Sequence, residues 1–265
     1  MHPILFRIGS FEFGTYGVLL VLGFFAALGL ARRMARRDGL APEAISELAI
    51  AMLLGGVVGS KLLMVVVDLV RGVPPGEIFS LAYLRAGGAV HGGVILGAVV
   101  FFWRIRRMQL PLGQTMDAFA PAIPLGQAIG RLGCLVAGCC YGTECHQPWA
   151  ITFHSSDAAR ISGTPLGLPL HPVQLYNGLS NACIAVVILL LARRRRFPAQ
   201  LMAAYFLLEG AGRVLLEGFR GDLDRGQGWL GWAWLSTGRI TGLLFVAFGA
   251  ALWILFSRRA AKAAA

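Results

Sequence analysis

Seven apolar runs, each near the length that crosses a bilayer, constrain this chain more than any other feature. They cover about residues 14–31, 46–67, 88–103, 115–136, 174–192, 199–217 and 236–256. An unpaired backbone group in hydrocarbon costs several kcal/mol, so such runs become helices, which satisfy their own N–H and C=O groups. About 20 residues at 1.5 Å rise span the roughly 30 Å hydrocarbon core. Of the 265 residues 57% are hydrophobic and 14% charged, against about 25% charged in an ordinary soluble domain. A soluble fold of this size has no means of covering that much apolar surface. The expectation is an all-α integral membrane protein of about seven transmembrane helices, with residues 1–265 forming a single transmembrane domain. The first run is not expected to be a cleaved signal peptide, because no basic segment precedes it and arginines follow it.

Charge placement orients the chain. RRMARR (32–37), RIRR (104–107), RRRR (193–196) and the trio Arg258, Arg259 and Lys262 follow the first, third, fifth and seventh runs. They hold fourteen of the 24 Lys and Arg residues. With seven spans all four clusters fall on one side, which the positive-inside rule makes the cytoplasm. The N-terminus is then outside and the C-terminus cytoplasmic, with extracytoplasmic loops at 68–87, 137–173 and 218–235. Topology and anionic headgroups account for the net charge of +11, so nucleic acid is not an expected partner.

The unusual polar residues converge on the outer side. Arg131 sits in AIGRLGCLV and Arg213 in EGAGRVLLEG. An arginine at membrane depth costs about 2.5–3.5 kcal/mol on insertion scales, so it faces a partner or a cavity. Either each pairs with a carboxylate such as Asp117, Glu209 or Glu217, or the two form an anion site suited to a phosphodiester headgroup. Glu209, Arg213, Glu217 and Arg220 are spaced i, i+4, i+8 and i+11, along one helical stripe. His91 lies between glycine pairs in AGGAVHGGVILG, and is either a structural hydrogen-bonder or a proton acceptor. His171, Gln174 and Tyr176, around the start of the fifth run, are either headgroup contacts or interfacial anchors.

Four of the five cysteines crowd into GRLGCLVAGCCYGTEC at 130–145. Their C-x4-C-C-x4-C spacing fits no standard zinc pattern, and no metal or other cofactor is expected. On the outer side a disulfide joining Cys139 or Cys140 to Cys145 is the alternative to free thiols. Cys134 lies deep in the fourth run, and Cys183 reads as a small hydrophobe in the fifth.

These motifs together resemble the prolipoprotein diacylglyceryl transferase family. The similarity covers nearly the whole chain: TYGVLLVLGF with Tyr16, HGG at 91–93, DAFAPAIPLGQAIGRLG at 117–133, HPVQLY at 171–176 and RVLLEGFRGD at 213–222. The resemblance implies a multi-pass enzyme of the bacterial inner membrane. Its expected substrates are phosphatidylglycerol and prolipoprotein signal peptides. The diacylglyceryl group moves to the lipobox cysteine as a thioether, and glycerol phosphate leaves. On that reading Arg131 and Arg213 stabilise the leaving phosphate, His91 helps deprotonate the thiol, and Glu217 orients Arg213. Tyr16, Gly142, His171, Gln174, Tyr176 and Arg220 contact the lipid or the peptide. The chain departs from the family pattern after GR-x-G, where Cys134, Ala137 and Cys139 stand in place of Asn, Asn and Glu. Glu209 stands where the family has Tyr. These departures keep two alternatives in view, a transferase with another acceptor and a non-enzymatic thiol or metal protein.

Overall fold

A computed structural model describes residues 3–9, 11–78, 80, 83, 87–222, 232 and 234–264. Residues 223–231 and 233 of the expected outer loop 218–235 lie outside the described residues, as do 79, 81–82 and 84–86 of the loop 68–87. The described chain is mainly helical. A short antiparallel hairpin, β1 (Ile4–Ile8) and β2 (Phe11–Gly14), leads into α1 (Thr15–Arg37). Then come α2 (Pro42–Val70), a single turn α3 (Pro75–Ile78) and α4 (Val90–Arg107). The pair α5 (Leu112–Phe119) and α6 (Ala122–Ala137) follows. A second two-stranded ladder, β3 (Ile151–Thr152) with β4 (Pro169–Leu170), brackets the short α7 (Ser156–Ser162). Helices α8 (Val173–Ala192), α9 (Gln200–Leu216) and α10 (Thr237–Ala264) close the described chain.

Five of these segments are long and apolar enough to cross a membrane: α1, α2, the α5–α6 pair, α8 and α10. The third and sixth expected spans are helices of 18 and 17 residues, α4 and α9. Their apolar lengths are cut short by charge, since α4 ends in Arg104, Arg106 and Arg107 and α9 carries Glu209 and Arg213. The fourth expected span is not one uninterrupted helix. It breaks between Phe119 and Ala122, at Pro121, where the ring denies the helix a backbone donor and crowds the turn before it.

The chain divides into two compact units. One comprises residues 1–34 and 116–265, the other residues 35–115. In the second unit α2 and α4 run antiparallel and touch through glycine. A Cβ on Gly59 would collide with the Gly92 carbonyl, and one on Gly92 with the Gly59 carbonyl. Small residues let membrane helices approach until dispersion between backbones replaces the missing hydrophobic drive. Glu47 and Arg104 pair across the same two helices. In the first unit α9 packs on α10 through the same device, with Gly210 against Gly242 and Gly249 against Ala203. Helix α6 packs on α8, where Gly178 lies against Arg131.

Asp117, fully buried, fixes where α9 begins. Its Oδ1 accepts the Leu201 and Met202 N–H groups at 2.9 and 3.1 Å, and Arg195 approaches Oδ2 at 3.4 Å. The carboxylate therefore caps a distant helix whose first N–H groups would otherwise be orphaned in an apolar core. It is engaged there and is not an ion-pair partner of Arg131 or Arg213.

Candidate active site

The signature loop is built outward from the end of α6. That helix stops at Gly138, whose left-handed φ of +81° closes the final turn. A Cβ at this position would lie 2.8 Å from the Ala158 Cβ. The chain then runs 139–145 between two other segments. Gly142 forms an antiparallel bridge with Arg220, while Gly221 N–H donates to the Tyr141 carbonyl at 3.1 Å and Thr143 N–H to the Phe219 carbonyl at 2.9 Å. On its other side His171 N–H donates to the Thr143 carbonyl at 2.9 Å. A Cβ on Gly142 would strike the His171 carbonyl and, 2.8 Å away, the Val173 side chain. Three motifs far apart in sequence, at 141–143, 171–173 and 219–221, thus cross at one glycine.

Around that crossing Phe219 packs edge to face on His171 and Tyr176, which are tilted against each other, with centroids 5.2–6.1 Å apart. The Tyr176 hydroxyl lies 3.2 Å from His171 Nδ1 and accepts from Trp149 Nε1 at 2.8 Å. Gln174 is buried and donates from Nε2 to the Cys139 carbonyl at 2.8 Å. Its Oε1 has no hydrogen-bond partner among the described residues. Gln174 therefore holds the loop through a direct bond, and Tyr176 ties His171 to Trp149. The sequence alone left open whether they were headgroup contacts or interfacial anchors.

Next to this frame the two arginines come together. Arg131, from α6, and Arg213, from α9, lie within electrostatic range of each other and of Glu209. Glu217 and Arg220 also act on Arg213. Neither the Arg131 nor the Arg213 guanidinium makes a hydrogen bond or direct ion pair with a described residue, and Arg213 Nε is buried with no partner among them. The expected Glu217–Arg213 pair is not formed as a direct contact. Glu217 instead accepts from Ser236 Oγ at 2.8 Å and rests against Gly238, in the first turn of α10. Ser236 caps that turn by accepting the Arg239 N–H at 3.2 Å. A carboxylate at a helix N-terminus is stabilised by the aligned peptide dipoles, which explains why Glu217 is drawn there.

Tyr16 packs its ring against Gly133, two residues beyond Arg131. The phenol feels the Arg131 charge and Cys134, Cys139 and Cys140. Arg220 is bound bidentately by Asp222, at 2.9 and 2.7 Å. Burial opposes its charge, but the Asp222 bridge together with Cys140 outweighs this and holds the guanidinium above its ordinary pKa. His91 belongs to the other unit, in the first turn of α4, exposed and without a hydrogen bond to any described residue. Its flanking Gly92 and Gly93 serve the α2–α4 seam. A cavity of about 420 Å³ in that unit, lined by Phe102, Ile105, Arg106, Gln109, Leu110 and Leu112, contains no signature residue.

All five thiols are free in this structure. Cys145 is buried near β4, its N–H donating to the Pro169 carbonyl at 2.8 Å. Cys134, Cys139 and Cys140 instead gather so that their sulfurs all lie within 4.8 Å of one another. Cys139 is pushed well above the ordinary thiol range by its bond to Cys134 and then by Cys140. Cys140 is drawn well below it by hydrogen bonds from Cys134 and Cys139, with Arg220 adding to the effect. A sequence reading that weighed loop spacing alone had no access to this grouping.

Comparison with known proteins places the chain in a family. The family model described as prolipoprotein diacylglyceryl transferase matches residues 3–255. A phosphatidylglycerol–prolipoprotein diacylglyceryl transferase of Clostridium tetani is 30% identical over 249 residues, 94% of this chain and 95% of that protein. A protein of the same name from Geobacter sulfurreducens is 33% identical over 268 residues, covering 98% of this chain and 96% of its own.

Proposed function

The chain belongs to the prolipoprotein diacylglyceryl transferase family, and from that premise we propose how its own residues carry the reaction. It is a membrane transferase that moves the diacylglyceryl group of phosphatidylglycerol to prolipoproteins. In our reading the acceptor is the lipobox cysteine of the signal peptide. Its sulfur attacks the glyceryl carbon that bears the phosphate, and a C–S bond forms as the C–O bond breaks. The electron pair of that bond leaves on the phosphate oxygen of glycerol phosphate, and the thiol proton passes to a base. The thiolate is the nucleophile, so the enzyme needs no cysteine of its own.

The chemical demand is then for charge stabilisation at the departing phosphate. We assign that role to Arg131 and Arg213, acting as preorganised donors toward charge that develops in the transition state. One observation supports the assignment above others: two neighbouring guanidiniums, neither directly ion-paired with a described residue. An arginine kept in apolar surroundings is costly unless something neutralises it, and a lipid phosphodiester supplies two oxygens for the purpose. Tyr16 stands at the rim of this site and Glu217 tunes Arg213 from a distance. Arg220, His171, Gln174, Tyr176 and Gly142 shape the wall against which the headgroup lies. His91 receives the role of thiol base, since an imidazole nitrogen can accept the thiol proton. We also propose the full topology of seven spans in one transmembrane domain, with the N-terminus outside and the protein in the bacterial inner membrane.

The test is complementation combined with direct transfer. The protein should restore lipoprotein maturation to bacteria lacking their own transferase. In detergent it should pass labelled diacylglycerol from phosphatidylglycerol to a lipobox peptide. Failure with such a peptide, while the label moves to some other acceptor, would replace this reading with that of a transferase of different specificity. In the same assay His91→Asn should lose transfer at neutral pH and recover part of it at high pH, where the thiol ionises unaided. An unchanged pH profile removes His91 from the role of base.

A further inference from the structure

Cys134, Cys139 and Cys140 have no part in the chemistry above, yet the fold gathers them. We propose that these three residues form a binding site for a single soft d10 cation, Zn(II) or Cu(I), held by three sulfur ligands.

Distance carries the first part of the argument. The three sulfurs lie within 4.8 Å of one another. A metal–sulfur bond of about 2.3 Å in trigonal or tetrahedral geometry places ligand sulfurs about 3.8–4.0 Å apart. Closing the cluster onto an ion therefore requires sulfur movements of less than about 1 Å, within reach of side-chain torsions.

Backbone geometry carries the second part. Cys134 lies in the last turn of α6 and is buried. The chain reverses at Gly138, so Cys139 comes back over that turn, its sulfur 3.8 Å from the Cys134 carbonyl. Cys140 then adopts φ +59°, a left-handed conformation that residues with a Cβ avoid. Such conformations persist only where the surroundings enforce them. Two residues on, Gly142 is pinned between His171 and Arg220, and the short stretch from Gly138 to Gly142 brings Cys139 and Cys140 onto Cys134.

The donor set decides which ion fits. No carboxylate or imidazole joins the cluster among the described residues. All-thiolate ligation selects Zn(II) and Cu(I) over Mg(II) and Ca(II), which require oxygen. The outer contacts suit bound thiolates. Gln174 fixes the Cys139 carbonyl at 2.8 Å, and the buried Arg220 acts on Cys140 while anchored by Asp222. Such outer hydrogen bonds orient ligands and offset their charge. The ion would sit one helical turn from Arg131, and would tie the end of α6 to the loop that carries Gly142.

The experiment uses the full chain in detergent, purified under anaerobic reducing conditions. Samples are loaded separately with Zn(II) and Cu(I), desalted, assayed for metal and alkylated with iodoacetamide before peptide mapping. About one ion per chain should remain in at least one arm, and the retained metal identifies the ion. Cys134, Cys139 and Cys140 should be protected from alkylation by that metal, while Cys183 labels equally with and without it. Cys139→Ser should lower retention roughly tenfold or more, whereas Cys145→Ser should retain the ion. Three results overturn the proposal: no ion retained by reduced protein, equal retention in Cys139→Ser, or alkylation of the three thiols unaffected by metal. The protection measurement uses the unsubstituted chain, so a misfolded variant leaves the proposal testable.

Discussion

Helix α9 carries a charge cluster at each end, and the two are built in opposite ways. At its start Asp117 is saturated, with two backbone N–H groups on one oxygen and Arg195 on the other. At its far end Arg213 stands beside Arg131, and neither guanidinium has a direct partner among the described residues. Glu217, one carboxylate that acts on Arg213, is bonded to Ser236 and drawn to the start of α10. Buried charge that is fully matched holds a fold together, and buried charge left open awaits a ligand. The difference sets a matched charge apart from an open one at the two ends of a single 17-residue helix.

Substitutions at the two ends should therefore fail in different ways. The largest effect is expected at the open end. Arg131→Ala or Arg213→Ala should lower lipid transfer by about 100-fold or more, with helicity and elution in detergent unchanged. A variant that keeps its activity, or that loses its fold, breaks the contrast. Next comes the closed end, where Asp117→Ala strands two N–H groups and a guanidinium. It should cost about 2–3 kcal/mol of stability, seen as a lowered thermal midpoint and folded yield, with transfer per folded molecule preserved. Gly142→Ala should follow, costing about 1–2 kcal/mol by overpacking. Thermal unfolding would show it, accompanied by weakened phosphatidylglycerol binding because the wall of the site shifts. The smallest effect belongs to Ser236→Ala, at about 1 kcal/mol for a lost helix cap. If it also frees Glu217 to pair with Arg213, the Michaelis constant for phosphatidylglycerol rises, which sharpens the account of why Glu217 is held away.

Much of this was legible in the sequence. Hydrophobic runs at 14–31, 46–67 and 174–192 became α1, α2 and α8 because bilayer thickness dictates apolar length independently of tertiary contacts. The exceptions are physical ones. The break at Pro121 was masked by an apolar composition that continues through it. The 17 and 18 residues of α9 and α4 fall short where charge intrudes. At the site, Arg131 and Arg213 stood out because lipid tolerates them so poorly. Their missing partners did not, since Asp117 reaches Arg195 and α9 across 78 to 85 residues. One-dimensional spacing says nothing about contacts of that range. The cysteine grouping depends on the positive φ of Cys140, which no residue pattern announces in a non-glycine.

The crossing at Gly142 limits how this protein can change over time. Between 146 and 149, where the side chains are exposed, an extra residue adds length to a surface turn. An extra residue at 141–143 has no such outlet, since it must displace the histidine-proline turn on one side and the Arg220 strand on the other. Relatives of this chain should accumulate insertions in the first region and almost none in the second, whatever lipid or peptide they have come to prefer.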